Sequence, residues 1–188
     1  MAVNVPVPTE TWTGKIREIT LGGGSRGRTV TVGGANTLPF LFFEGTMPHR
    51  PAIVIEVMDQ YPKEWSPVLL EAWGDVLQDP AAWAKKAEEL GADVIALSLD
   101  SAHPERGNTD AKHARDTVRK VLSATSLPLI VYGPGQAEKD NEVLVAVAEE
   151  AAGERLALAN CEDKNYRTIV AAALAHGHLV VARSPIDV

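Results

Sequence analysis

One cysteine stands among the 188 residues, and that scarcity closes several routes at once. Alone, Cys161 cannot form an internal disulfide, and it cannot by itself hold an iron-sulfur cluster or a structural zinc. Any cluster is therefore expected on a partner, not on this chain. Positive charge is also thin: 18 Lys and Arg lie scattered among 25 Asp and Glu, for a formal net charge of −7. Phosphate backbones are bound by clustered basic residues, so this balance excludes nucleic acid as an expected partner. No apolar run approaches the roughly 18–20 residues that span a bilayer. The opening MAVNVPVPTETW has neither a basic n-region nor an apolar h-region, which predicts a cytoplasmic protein with no membrane partner. G-x-S-x-G, H-E-x-x-H and Walker sequences are missing as well.

What is present falls into two parts. Residues 1–50 hold β-branched segments, TWTGKIREITL and RTVTVGG, joined by GGGSRG, with extended stretches expected around LPFLFF. Phosphate loops run from a strand into a helix, whereas this glycine run is followed by the strand-like RTVTV, so the segment reads as an N-terminal β-hairpin. From residue 51 to 188 the pattern is regular. Near-continuous apolar runs predict strands at 52–58, 93–99, 127–132, 155–160 and 178–183. Between them lie amphipathic helices. Asp79 and Pro80 open one in which Trp83, Ala87 and Leu90 share a face, and a second follows Asn108 and Thr109. A third spans about 137–152, and Asp163 is expected to cap a fourth.

Alternating strands and helices predict an α/β fold with a parallel sheet. An open doubly wound sheet usually carries G-x-G-x-x-G after its first strand, but DQYPKEW stands there. The expectation is therefore a (β/α)₈ barrel of the TIM type, of which about the first five βα units are present. The closing SPIDV then reads as the start of a further βα loop, and the chain as an N-terminal piece of a longer reading frame, because a half-barrel would leave strand edges unpaired.

A barrel of this kind builds its functional face from the loops after each strand. That rule selects Asp59, Gln60 and Tyr61; Asp100, Ser101 and His103; Gly133 to Gln136; Asn160, Cys161 and Glu162; and Ser184 and Asp187. His176 and His178 form an H-x-H pair at a helix-to-strand junction, the opposite face, so no metal role is expected there. DSAHPERG, residues 100–107, approaches a corrinoid-binding D-x-H-x-x-G signature but reads D-x-x-H-x-x-x-G, so that motif is absent. Cys161 has only its loop position to recommend it as a nucleophile.

Three stretches carry a resemblance: PAIVIEVMD, GDVLQDPAAWAKKAEELGADVIALSLDSAHPERGN and GERLALANCEDKNYRTIVAAALAHGHLVVARSPIDV. From about residue 20 to the end the chain resembles the delta subunit of acetyl-CoA decarbonylase/synthase, also described as the small subunit of the corrinoid iron-sulfur protein. The resemblance implies a barrel related to pterin-binding methyltransferases, paired with a large (gamma) subunit carrying a [4Fe-4S] cluster and a cobalamin-type corrinoid. Methyl groups would pass from a tetrahydropterin to that cobalt and on to acetyl-CoA synthase, with the methyltransferase and the synthase as transient partners. This chain would enclose the corrinoid without being the methyl-transferring catalyst, so no catalytic residue is expected. By position on the barrel mouth, Asp59, Asp100, His103, Asn160 and Ser184 are the candidates for hydrogen bonds to corrin amides or the nucleotide tail. The competing expectation is a free-standing pterin-dependent methyltransferase using the same mouth, with Asp59, Asp100 and Asn160 as its polar set.

Overall fold

The computed structural model describes residues 5–25 and 27–184. Contacts divide the chain into two units, one of residues up to Thr20 with Thr31–Ala52, the other of Leu21–Val30 with Ile53 onward. Strands β1 (Ile19–Gly22) and β2 (Thr29–Val32) pair in a two-stranded sheet, joined by the glycine-rich turn that the sequence predicts.

In the first unit the pairing continues beyond the strands, with Ile16 N donating to Ala35 O at 2.8 Å and Gly34 N to Ile16 O at 2.9 Å. LPFLFF, expected to be extended, instead holds a 3₁₀ turn at Pro39–Leu41. The buried Thr37 closes this turn, its Oγ1 donating to Leu41 O at 2.7 Å. Trp12 donates through Nε1 to Glu44 Oε2 at 2.8 Å. All three phenylalanines of the protein, Phe40, Phe42 and Phe43, lie exposed here.

The second unit is built on a parallel sheet of β3 (Val54–Met58), β4 (Val94–Ser98), β5 (Leu129–Tyr132), β6 (Ala157–Cys161) and β7 (Leu179–Ala182). The strands lie side by side in sequence order, each parallel to the next. Alternation sorts their side chains onto two faces. Val57, Ile95, Leu97, Leu129, Val131 and Leu158 join one buried core with helix residues. The helices are α1 (Pro67–Trp73), α2 (Pro80–Glu89), α3 (Ala111–Ala124), α4 (Ala137–Glu150) and α5 (Tyr166–His176). Each of α2 to α5 contributes residues spaced three and four apart: Trp83, Ala84 and Ala87; Ala114, Val118 and Val121; Val143, Leu144 and Val147; Ile169 and Ala173. On the other face Val54, Glu56, Ala96, Ser98 and Tyr132 line a hollow of about 440 Å³.

Several local expectations are corrected. The stretch after Tyr61, to which the sequence reading assigned no element, contains α1 and a 3₁₀ turn at Gly74–Gln78. Leu90 is 64% exposed, because α2 ends at Glu89 and Leu90 occupies its C-cap. Helix α3 is capped by Asp110, which accepts from His113 N at 2.9 Å. Helix α5 runs over YRTIVAAALAH as the sequence predicts, but its N-cap is Asn165 and not Asp163. Trp83 sits fully buried at the start of α2, with Trp65 and Trp73 at ring-centroid distances of 5.4 and 5.8 Å.

The hairpin tip belongs to this second unit. Ser25 N donates to Gly153 O at 3.0 Å, Arg155 donates to Gly22 O, and Arg28 pairs with Glu88 at 2.6 Å. At the helix-to-strand end His178 is buried, its Nδ1 accepting from Leu156 N at 3.1 Å and its Nε2 donating to Ala148 O at 2.9 Å. Both ring nitrogens are thereby occupied by backbone. Burial pushes its pKa below the ordinary 6.5, so the ring is neutral in the fold.

Candidate functional site

Parallel strands end on one edge, so the loops after β3 to β7 form a single polar rim. Asp59 follows β3, and its side chain is 1% exposed. Its carboxylate accepts from Ser101 N at 2.8 Å and from Ser101 Oγ. Ser101 Oγ also meets Thr109 Oγ1 at 2.8 Å, and His113 Nε2 stands 3.9 Å from the carboxylate. Burial raises the Asp59 pKa above 3.8, against the opposing pull of the Ser101 hydrogen bonds. Asp59 thus fastens the β3 loop to the β4 loop.

Asp100 is similarly engaged, accepting from Ser98 Oγ at 3.0 Å and pairing with Arg106 at 2.7 Å. His103 Nδ1 accepts from Glu105 N at 3.1 Å, within its own turn. Tyr61 packs on the core. Asp187 lies outside the described residues.

Asn160 and Ser184 come together. Both line a cleft of about 1060 Å³ at the ends of β5, β6 and β7, with Gly135, Asp140, Asn165 and Arg183 among the other walls. Its charges are mixed, with Lys164 and Arg183 in the walls beside Glu138, Asp140, Glu162 and Asp163. Arg183 lies 3.6 Å from Glu162. Beside the cleft Cys161 is buried, and burial with the nearby Asp140 raises its thiol pKa above 9.0. A thiol held protonated is a poor nucleophile.

Two wall residues, Asp140 and Asn165, escaped the sequence reading. Each is 4% exposed. The Asp140 carboxylate accepts from Gly135 N at 2.9 Å and from Asn165 Nδ2 at 3.1 Å. Asn165 Nδ2 also donates to Asn160 O at 3.1 Å, while its Oδ1 accepts from Glu162 N at 2.7 Å. Burial raises the Asp140 pKa above 3.8, opposed by the Gly135 and Asn165 hydrogen bonds. One signal was available: Asp140 stands three residues before Val143 and seven before Val147, which places a carboxylate on the apolar stripe of α4.

The rim therefore offers amides, backbone groups and paired charges, an arrangement suited to hydrogen bonding more than to acid-base or nucleophilic chemistry. Among the described residues no group of three or more His, Cys, Asp or Glu could hold a metal ion. Among the same residues no helix is long and apolar enough to cross a membrane.

Relatives share this chain along nearly all its length. Acetyl-CoA decarbonylase/synthase complex subunit delta of Archaeoglobus fulgidus is 41% identical over 186 residues, which is 95% of this chain and 41% of that protein. Subunit delta 1 of Methanosarcina thermophila is 39% identical over 183 residues, covering 94% of this chain and 42% of the relative. The corresponding subunit of Methanocaldococcus jannaschii is 34% identical over 186 residues, at 96% and 45%. The chain thus spans less than half the length of these relatives. The sequence profile described as CO dehydrogenase/acetyl-CoA synthase delta subunit matches residues 18–188, taking in the whole parallel sheet and every loop of the polar rim. With a match of that extent the chain belongs to the CO dehydrogenase/acetyl-CoA synthase delta subunit family.

Proposed function

We propose that this chain supplies part of a delta-type subunit whose barrel mouth covers a corrinoid carried by a larger partner subunit. The reading rests above all on the cleft holding Asn160 and Ser184, a polar surface whose walls include the amides of Gln136, Asn160 and Asn165, the Ser184 hydroxyl and charges of both signs. A corrinoid presents primary amides at its rim, and such groups are matched by neutral donors and acceptors better than by a strong field of one sign. Family membership supports the reading, since the relatives carry the name of a complex subunit.

Closure into a (β/α)₈ barrel is part of the same proposal. A doubly wound sheet reverses its strand order, whereas β3 to β7 run in simple succession with helices against one face. Residues 51–188 would form the first five units of that barrel, and residues 1–50 an appended hairpin segment. In the assembled protein Asp59 and Asp100 would shape the mouth by holding its loops, and His103, Asn160 and Ser184 would meet the corrinoid. Methyl transfer between a tetrahydropterin and acetyl-CoA synthase would take place at the partner's cobalt, with the methyltransferase and the synthase docking in turn. Iron-sulfur chemistry would likewise belong to the partner.

The test uses a full-length delta chain containing this segment, co-expressed with its large subunit. Co-purification with stoichiometric cobalt, together with no binding of methyltetrahydropterin to the delta chain alone by calorimetry, is the expected result. Unaided pterin binding would instead establish a free-standing methyltransferase.

A further inference from the structure

We infer that Asp140 and Asn165 are positioning residues: a buried carboxylate-amide strut that locks the loop after β5 to the loop after β6, so that Asn160 and the Gly133–Gly135 backbone meet a ligand in one fixed geometry. The ligand is the corrinoid surface proposed above, and to that extent the inference rests on that reading.

The strut spans two loops that share no other side-chain link of this kind among the described residues. From α4, Asp140 reaches back to Gly135 N; from the start of α5, Asn165 reaches Asp140, the carbonyl of Asn160 and Glu162 N. Gly133 makes room for it. A Cβ at that position would stand 2.3 Å from Asp140 Oδ1, so any larger residue displaces the carboxylate. Asp140 and Asn165 are both 4% exposed, although an apolar pair would fill the same space without the desolvation cost of two polar groups. What the polar pair adds is direction. Hydrogen bonds set loop geometry where apolar packing would allow sliding, and a ligand surface needs its preorganised first contacts held by such a supporting layer.

The chemistry also prescribes a rescue. Asp140→Asn turns an amide N–H toward Gly135 N or Asn165 Nδ2, and Asn165→Asp sets two carboxylates together. Exchanging both restores a complementary pair. The amide then at position 140 accepts from Gly135 N through its oxygen and donates to the carboxylate at position 165, which still accepts from Glu162 N. The bond to Asn160 O is lost, and a carboxylate oxygen then faces that carbonyl, so the exchange restores the link between positions 140 and 165 but not the one to Asn160.

The experiment measures, on the full-length delta chain, its dissociation constant for the corrinoid-loaded large subunit, the visible absorption of the bound cobalt, and amide exchange at Gly135 and Glu162. Each single variant is expected to bind about tenfold more weakly, the scale of one lost buried hydrogen bond, with a shifted cobalt spectrum and faster exchange at both amides. The double exchange should bind more tightly than the product of the two single effects, the coupling that marks interacting neighbours. Double-exchange binding as weak as the product of the two single effects overturns the inference. So does wild-type binding by both single variants, and an Asn160→Ala control then separates the two ideas. If that control weakens binding, the mouth still carries the corrinoid and only the strut is wrong; if it does not, the corrinoid reading falls as well.

Discussion

Adding one methyl group at Gly24 should push the hairpin tip off the Gly153–Glu154 turn. An ideal Cβ there would lie 2.2 Å from Gly153 O and 2.6 Å from the Glu154 carbonyl carbon, both backbone atoms with no rotamer by which to retreat. The tip must move instead, and Ser25 N then loses its 3.0 Å bond to Gly153 O. Forcing a methyl into a filled space costs about 1–3 kcal/mol, and one lost hydrogen bond adds about 1 kcal/mol. An expected loss of about 2–4 kcal/mol corresponds to a fall in melting temperature of about 4–16 °C for a chain of this size. Circular dichroism melts of Gly24→Ala would measure it, with amide exchange at Gly23 and Ser25 as the local readout. Gly14→Ala is the matched control, since nothing lies within 4 Å of its ideal Cβ. A melt for Gly24→Ala within about 1 °C of that control, with unchanged protection at Ser25, would refute the packing argument.

Other perturbations follow from the same contacts. Because burial lowers the His178 pKa, the unfolded chain takes up that proton first as the pH falls. The stability it contributes is complete above pH 6.5 and drains away as the pH drops through the folded-state value. A proton NMR titration of the His178 ring should therefore show a midpoint below 6.5; one at or above it would contradict the buried neutral ring. Asp79→Ala removes the N-cap acceptor that Ala81 N uses at 3.2 Å and should cost about 1 kcal/mol in urea unfolding, more than Asp75→Ala in the preceding turn. Gly133→Ala should displace Asp140 and speed amide exchange at Gly135 while leaving the exchange of Val131, inside β5, unchanged. Equal exchange at Gly135 in variant and parent would count against that contact.

Periodicity made the second unit legible. Strands of near-continuous apolar residues and helices with Trp83, Val118 and Val147 on one side appear where the sequence places them, because burial on a repeating geometry leaves a repeating pattern. Elements governed by single contacts were not legible. Helix α1 hides in PVLLEAW because only Leu70 and Trp73 of it pack against the core, too few to set a stripe. The turn at Pro39–Leu41 depends on a hydroxyl of Thr37 reaching four residues along the chain, an event without a period. In the rim, strand direction located Asn160 and Ser184, yet it also selected Asp59 and Asp100, whose carboxylates are spent on Ser101, Ser98 and Arg106. Position along a strand reports where a side chain stands, not whom it holds. Asp140 and Asn165 were missed for the complementary reason: they sit at helices, outside the loop positions that strand direction singles out.

The distribution of tryptophan gives the protein a spectroscopic address for each of its two units. Trp65, Trp73 and Trp83 cluster in one unit, with Trp83 wholly buried, while Trp12 lies in the other and is 39% exposed. Excitation of the native chain therefore collects two signals, a blue-shifted emission from the cluster and a redder one that aqueous acrylamide reaches first. Replacing Trp12 with Phe leaves a chain whose fluorescence reports on the sheet unit alone, so that a loosening of the hairpin segment and the melting of the sheet core become separately visible in a single cuvette.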